Sequence, residues 1–413
     1  MEIGITSLIL LIMMVILVTE CCDPLKIITI VMVLFLSLGY ISIEEAVAGF
    51  SNSAVLAIGA LFILAGAVEQ SVIFEKLTRF DHPKRKYKPE VLFSFITGLS
   101  AFLNNTPIVS IFIPIARRIG IKTDTSASQL LIPLSYLSML GGVLTLVGTS
   151  TNLVVSGLMV ELGMQPLGFF ELTQVALPGV MIGFIYILIT YRWRLPVIHE
   201  EHNIAKEIKK VEEINIKSTL KSLYPFIAFL GTVLMTMIFQ MSILHAALVG
   251  IVFLLITDTI QIRDSLQMIE YKTICLIAIS FSIGKAIINT GTAAFIGEHL
   301  VHYTSRWSPF WVLILVFIVT NVFTLMITNN VAAILAVPLV YEMVTLMNVD
   351  IRPMMLMTAI AASSSFLSPY GYQTNIMVYH AGGYRFKDFF HYGYPLTFLI
   401  MVVSALNIFI VFY

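Results

Sequence analysis

Charge is what this sequence of 413 residues has least of, with Asp, Glu, Lys and Arg making up only 12% of it. So few charges exclude the hydrated surface a soluble chain of this length needs. The 24 basic and 24 acidic residues cancel, leaving no basic excess to meet a nucleic acid. Cysteine is scarcer still. Cys21, Cys22 and Cys275 have neither the number nor the spacing of a disulfide framework or a zinc site and read as bystanders. The first apolar run, Ile3 to Val18, lacks a basic flank before it and a small-residue cleavage site after it, so it reads as a retained helix rather than a signal peptide. What is abundant is hydrocarbon: 58% of the residues are hydrophobic and the mean hydropathy is +0.94. The fold class this predicts is an all-α polytopic membrane protein.

Polar residues inside such a chain need a reason, because an amide or hydroxyl in hydrocarbon is costly unless something binds it. The first half carries Leu103-Asn104-Asn105-Thr106-Pro107 and, about one long helix later, Thr145-Leu146-Val147-Gly148-Thr149-Ser150-Thr151-Asn152. The second half repeats the arrangement with Ile327-Thr328-Asn329-Asn330-Val331 and Ser368-Pro369-Tyr370-Gly371-Tyr372-Gln373-Thr374-Asn375. Sliding one half on the other places Asn105 on Asn329, Pro114 on Pro338, Asn152 on Asn375 and, more loosely, Pro178 on Pro395. The chain reads as two copies of one unit.

A hydrocarbon core of about 30 Å needs roughly 20 helical residues. On that ruler Ile3 to Val18, Leu25 to Tyr40 and Ser53 to Ile73 span. The block from Val91 to Ile119 is interrupted by its pentad into arms of about 13 to 15 residues, too short to cross, so a re-entrant hairpin is predicted. Gln129 to Met159 is a long helix whose Gly141-Gly142, Gly148 and following polar run break it midway. Ala176 to Tyr191, Leu223 to Gln240, His245 to Thr257 and Thr273 to Thr290 follow as spans. Pro309 to Met347 is the second hairpin, Met354 to Tyr379 the second broken helix, and Pro395 to Tyr413 the last span. The predicted organisation is therefore N-terminal transmembrane helices over 1–41, a first repeat over 42–191 (hairpin 91–119, broken helix 129–159), a linker over 192–221 and a second repeat over 222–413 (hairpin 309–347, broken helix 354–379).

Positive charge orients the spans. Lys76 to Lys88, Arg117 to Lys122, Arg192 to Lys221, Arg263 to Lys272 and Arg385 to Lys387 hold nearly all the Lys and Arg. Taken as cytoplasmic, they put loops 41–52, 160–174, 291–308 and 347–352 outside, with only Arg306 and Arg352 among them. The N-terminus then lies outside and the linker is cytoplasmic. The hairpins enter from opposite sides, which makes the repeats inverted.

Inverted repeats with broken helices meeting at the midplane are a transporter plan, with substrate held where the repeats touch. Half-helix N-termini favour an anion, and freed carbonyls and amide oxygens suit a hard cation such as sodium. The residues resemble those of the divalent anion/sodium symporters within the ion transporter superfamily, whose hairpin tips typically read Ser-Asn-Thr and whose broken helices carry a turn of the Gly-(Ser/Thr)-Pro-Pro-Asn or Ala-Thr-Pro-Pro-Asn type. The resemblance covers roughly residues 50 to 413. It implies two sodium sites, one of Asn105 and Gly148 helped by Ser100, the other of Asn329 and Gly371 with Thr324 at the same offset. It implies an anion site between them lined by Thr106, Thr149, Ser150, Asn330, Gln373 and Thr374, with Asn152 and Asn375 holding the breaks or contributing to the site. It further implies an elevator-like motion within a homodimer in the cell membrane. This chain departs from the pattern: its tips read Asn104-Asn105-Thr106 and Thr328-Asn329-Asn330, and Ser150-Thr151 and Gln373-Thr374 replace the prolines. The segment Pro369 to Asn375 is most similar to the sulfate-permease branch, so sulfate is expected ahead of a dicarboxylate.

Lys285 is the conspicuous charge inside a span, 13 residues past Lys272 and so roughly 20 Å into the membrane. It either reaches an interface or a carbonyl, or serves as counter-charge to the anion. Neither tip carries a carboxylate, which favours sodium over proton coupling. The alternatives are an anion efflux pump or cation/proton exchanger of the same superfamily, which predicts aspartates near the breaks, and an intramembrane enzyme built on Ser280 and Lys285. A spacing of five rotates those two side chains apart on a helix, so no enzyme is expected.

Overall fold

A computed structural model describes residues 2–19, 22–74, 88–122, 125–198, 220–304 and 307–413. Most of the expected basic run before the first hairpin, most of the linker, Cys21 and Arg306 lie outside the described residues. The rest is helical, with no strand among the described residues. By length and apolar composition, seven helical stretches among the described residues suffice to cross a membrane, among them Ile43–Glu69, Glu171–Arg194, Tyr271–Asn289 and Phe386–Phe412.

The first half of the chain runs through α1 (Glu2–Val18), α2 (Pro24–Ser37), α3 (Ile43–Ser51), α4 (Ser53–Glu69), α5 (Pro89–Ser100), α6 (Asn105–Lys122), α7 (Ala127–Gly142), α8 (Ser150–Glu161) and α9 (Glu171–Arg194). The second runs through α10 (Tyr224–Ile238), α11 (Ile243–Ile256), α12 (Ile262–Gln267), α13 (Tyr271–Asn289), α14 (Thr292–Thr304), α15 (Pro309–Met326), α16 (Asn329–Met347), α17 (Ile351–Ser363), α18 (Gln373–Gly382) and α19 (Phe386–Phe412). Helices α5 and α6 form a hairpin whose arms both pack on α7, and α15 and α16 form one whose arms both pack on α17. Helix α8 packs on α16, α18 packs on α6 and α7, and α9 packs on α19. The second half of each broken helix therefore lies against the other unit's hairpin. A second apolar core joins α1, α2 and α3 to α13 and α16 through Phe35, Ile28, Ile283 and Ala332.

Two expected loops are helices. Residues 43–51 form α3 because Ser42 and Glu45 close a capping box, with Ser42 Oγ accepting from Glu45 N at 3.1 Å and Glu45 Oε2 from Ser42 N at 2.9 Å. Segment 292–304 forms α14 and packs on α16. The second hairpin also differs from the first in reach. Its arms have 18 and 19 residues, against 12 in α5 and 18 in α6, so both extend about 27 to 29 Å where α5 extends about 18 Å.

Polar contacts gather at two ends of the bundle. At one, Tyr191 Oη donates to Glu90 at 3.1 Å, Gln129 Nε2 donates to the Arg192 carbonyl at 2.7 Å, and Arg117 Nη2 donates to the Ala381 carbonyl at 2.6 Å. At the other, Arg352 grips Glu171 through two bonds of 2.6 and 2.7 Å, a bidentate fork that ties the start of α17 to the start of α9.

Candidate functional site

Both breaks are built the same way. Helix α7 stops at Gly141-Gly142, and residues 143–149 leave the helix before α8 begins. Asn152 reaches back, its Nδ2 donating to the carbonyls of Gly142 at 3.2 Å and Thr145 at 2.8 Å. Helix α17 stops at Ser363, where serines and then Pro369 disfavour continuation. Asn375 Nδ2 donates to the carbonyls of Ser365 at 2.7 Å and Ser368 at 3.0 Å. In both breaks the amide serves the residues ten and seven positions earlier. Each asparagine satisfies carbonyls that the broken helix frees.

The first tip lies against the first break. Thr145 Oγ1 donates to the Ala101 carbonyl, fastening the hairpin turn to the break. A Cβ placed on Gly148 would stand 2.5 Å from the Gly142 oxygen and 2.9 Å from the Ala101 oxygen. One placed on Gly142 would stand 2.8 and 2.9 Å from the Asn105 amide atoms and 3.1 Å from the Gly148 oxygen. Only glycine permits this approach of carbonyls to one another. Around the same spot Ser100 Oγ, Asn105 Oδ1 and Asn152 Oδ1 are buried with no hydrogen-bond partner among the described residues. Unpaired oxygens crowded in hydrocarbon repel one another and forgo their hydration, which suits them to a cation.

The second tip is more fully bonded. Thr324 Oγ1 donates to the Ala362 carbonyl at 2.9 Å and Ser365 Oγ to the Thr324 carbonyl at 3.2 Å. A Cβ on Gly371 would fall on that carbonyl and on Ser365 Oγ, far inside contact distance. Among the described residues Thr320 Oγ1, Thr328 Oγ1, Ser363 Oγ and Ser404 Oγ are the buried, unpartnered oxygens of this half. Asn329 Nδ2 donates to Thr151 Oγ1, so its amide is engaged across the seam rather than with Gly371.

Across that seam the copies interlock. Thr106 Oγ1 donates to Gln373 Oε1 at 3.3 Å, and at the matching positions Asn330 and Ser150 pair at 3.2 Å. Thr151 Oγ1 donates to Asn330 Oδ1 at 3.0 Å. Asn105 Nδ2 donates to Tyr372 Oη at 2.6 Å, and Tyr372 Oη meets Thr149 Oγ1 at 3.1 Å. Ser135 Oγ donates to Asn375 Oδ1 at 2.6 Å and pairs with Thr374 Oγ1 at 2.8 Å. Thr149, Thr328 and Tyr372 precede α8, α16 and α18 without a side-chain cap bond, so the N–H groups of these half-helices lack a side-chain acceptor from the cap.

Lys285 is not part of this cluster. Its ammonium stands 3.9 Å from Glu161 Oε2, while Asn52 Nδ2 donates to Glu161 Oε1 at 2.9 Å. Glu161 ends α8, about 16 Å along the helix from Ser150, so the lysine offered as one possible counter-charge for the anion faces a carboxylate instead. Ser280 Oγ donates to the Leu276 carbonyl one turn back at 2.5 Å, the ordinary engagement of a hydroxyl within its own helix. Sequence reasoning missed Tyr372, Thr151, Ser135 and Gly142. The available signal was position: Tyr372 and Thr149 occupy the same place in the two copies, 223 residues apart.

Residues 8–361 match the family model described as citrate transporter. The chain belongs to this family. It is a transporter and not an enzyme. An uncharacterized transporter of Synechocystis, sll0640, is 25% identical over 93% of this chain and 93% of its own length. Sodium/sulfate cotransporter 2 of Chlamydomonas reinhardtii is 34% identical over 38% of this chain and 19% of its own. The crystal structure of the Alcanivorax borkumensis YdaH transporter, described as having an unusual topology, superposes with a TM-score of 0.61 at 10% identity, covering 99% of this chain and 98% of that one. At that identity the likeness concerns the fold alone.

Proposed function

We propose that this member of the citrate transporter family takes up a small divalent anion, sulfate ahead of a dicarboxylate, together with sodium. The observation that carries the reading is the trio of buried unpartnered oxygens, Ser100 Oγ, Asn105 Oδ1 and Asn152 Oδ1, beside carbonyls that Gly142 and Gly148 allow to converge. Oxygen lone pairs not already accepting a hydrogen bond are what a hard cation requires. Sodium held there fastens the tip of α6 to the α7–α8 break. The second site, of Asn329, Thr324 and Gly371, is weaker, since the Thr324 hydroxyl and the Asn329 amide nitrogen are already engaged within the protein.

The anion sits between the tips, held by the N-termini of α6, α8, α16 and α18 and by Thr106, Thr149, Ser150, Asn330, Gln373 and Thr374. These groups are uncharged, so charge balance comes from the sodium ions and the half-helix dipoles. The absence of a carboxylate among these site residues favours sodium over proton coupling. The match to a sodium/sulfate cotransporter supports the choice of sulfate. The two units act as inverted repeats around this seam, in a homodimer in the cell membrane, with the N-terminus outside, the linker cytoplasmic, and the hairpins and broken helices moving as one body against the outer helices.

Uptake into proteoliposomes tests the reading. Sulfate, thiosulfate, molybdate, phosphate, succinate and citrate are each supplied under an inward sodium gradient, a potassium gradient or a pH gradient. Sodium-driven sulfate uptake inhibited by the oxyanions is expected. Uptake driven by pH alone would refute sodium coupling, and citrate or succinate uptake indifferent to sulfate would refute the oxyanion assignment.

A further inference from the structure

Resting on the sodium reading above, we propose that Asn105, Tyr372 and Thr149 form a hydrogen-bond relay that converts sodium occupancy at the first tip into donor polarity at the anion site. Asn105 Nδ2 lies 2.6 Å from Tyr372 Oη, which lies 3.1 Å from Thr149 Oγ1. Tyr372 and Thr149 are 6% and 3% exposed, so water does not compete for these bonds. The two hydroxyls belong to equivalent positions of the two copies, and they meet on the seam where the copies are related. Tyrosine is long enough to continue from there to Asn105 in the opposite tip. Threonine at the equivalent position is not.

The relay has two directions. In one, Asn105 donates its amide hydrogen to Tyr372, Tyr372 donates its hydroxyl hydrogen to Thr149, and the Thr149 hydroxyl hydrogen is left for a third group. Asn105 Oδ1 then faces the oxygen cluster of Ser100 and Asn152, where a cation is welcome. In the other, the Asn105 amide is turned over, Tyr372 donates to Oδ1, and Thr149 donates to Tyr372. The Asn105 amide hydrogens then face the cation site, and Thr149 offers only lone pairs at the start of α8. Sodium selects the first direction and thereby presents a donor to the anion. No proton leaves any of the three groups, and only the orientation of the bonds changes.

Thermal unfolding of the full chain purified in detergent, titrated with sodium at constant ionic strength made up with potassium, reads the relay through ligand-linked stabilisation. In the wild type, potassium sulfate lowers the sodium concentration at half-maximal stabilisation by about fivefold or more, in the range of ordinary coupling between sites. Tyr372→Phe keeps the ring and removes the hydroxyl. It should raise the sodium midpoint about tenfold and abolish the effect of sulfate on it. Thr149→Val should abolish the sulfate effect while leaving the sodium midpoint nearer the wild type, and Thr149→Ser should restore it. A purely structural role would shift melting equally at every sodium concentration and leave midpoints unchanged, which overturns the relay alone. A wild type stabilised by sodium no better than by potassium overturns the sodium reading and the relay with it. A sodium-responsive wild type insensitive to sulfate overturns the anion half of the relay.

Discussion

Replacing Ser100 by alanine separates a cation ligand from a structural hydroxyl by the sign of its effect. A buried serine that makes a hydrogen bond usually costs about 1 kcal/mol when its hydroxyl is removed. Ser100 is fully buried and its Oγ has no partner among the described residues. In the absence of sodium its hydroxyl is therefore a desolvated group without compensation, a burden of roughly 1 to 3 kcal/mol. Ser100→Ala removes that burden, and alanine is the better helix former by about 0.5 kcal/mol. A small void where the oxygen stood offsets part of the gain. The net expectation without sodium is a protein about 1 kcal/mol more stable than wild type. With sodium the sign reverses. One ligand of a charged partner is lost, roughly 1.5 to 3 kcal/mol, which weakens sodium roughly tenfold to a hundredfold. Unfolding curves of the purified chain at several sodium concentrations should cross, the variant melting higher in potassium and lower in saturating sodium. A variant less stable in potassium, or one with the wild-type sodium midpoint, would refute the assignment.

Gly371→Ala should be more damaging than Gly148→Ala, because its methyl falls on the Thr324 carbonyl and Ser365 Oγ; a loss of about 1 to 3 kcal/mol and failure of sodium-driven uptake are expected, measured by melting and by proteoliposome transport. Asn375→Ala strands the Ser365 and Ser368 carbonyls and leaves the Ser135 hydroxyl to Thr374 alone, and should cost about 2 to 4 kcal/mol, read in the same melting assay. Lys285→Met should leave the anion KM within about twofold of wild type, because the ammonium faces Glu161; a tenfold rise would restore the counter-charge. Any loss of stability in Lys285→Met, at most about 1 kcal/mol for a partly exposed pair, should be reduced by adding Glu161→Gln.

The matching polar segments were legible because polar residues are conspicuous in apolar sequence, and their repeated offsets left few registers. The asparagine-bearing breaks could be read for the same reason: Asn152 and Asn375 each act on carbonyls of their own chain segment, and local bonds keep local spacing. Partnerships across the seam have no such spacing. Nothing in the order of residues says that Tyr372 faces Asn105, that Thr151 faces Asn329, or that Ser135 serves Asn375. Lys285 shows the same blindness with a charge, since its partner at the end of α8 could be found only in three dimensions. The loop assigned to 41–52 became α3 because a capping box starts a helix there, and α6, with 18 residues, outgrew the arms of about 13 to 15 expected of the first hairpin.

The two asparagine staples also bear on how the protein changes shape. Because each break is closed by an amide only seven and ten residues away, it carries its own geometry and can travel without being rebuilt. The Thr106–Gln373 and Ser150–Asn330 contacts are neutral bonds of 3.3 and 3.2 Å that are not fully buried, so water replaces them at less cost than the buried staples. In the motion proposed above the kinked segments would travel as finished parts together with the hairpin tips bonded to them, and the contacts exchanged would be those with the outer helices.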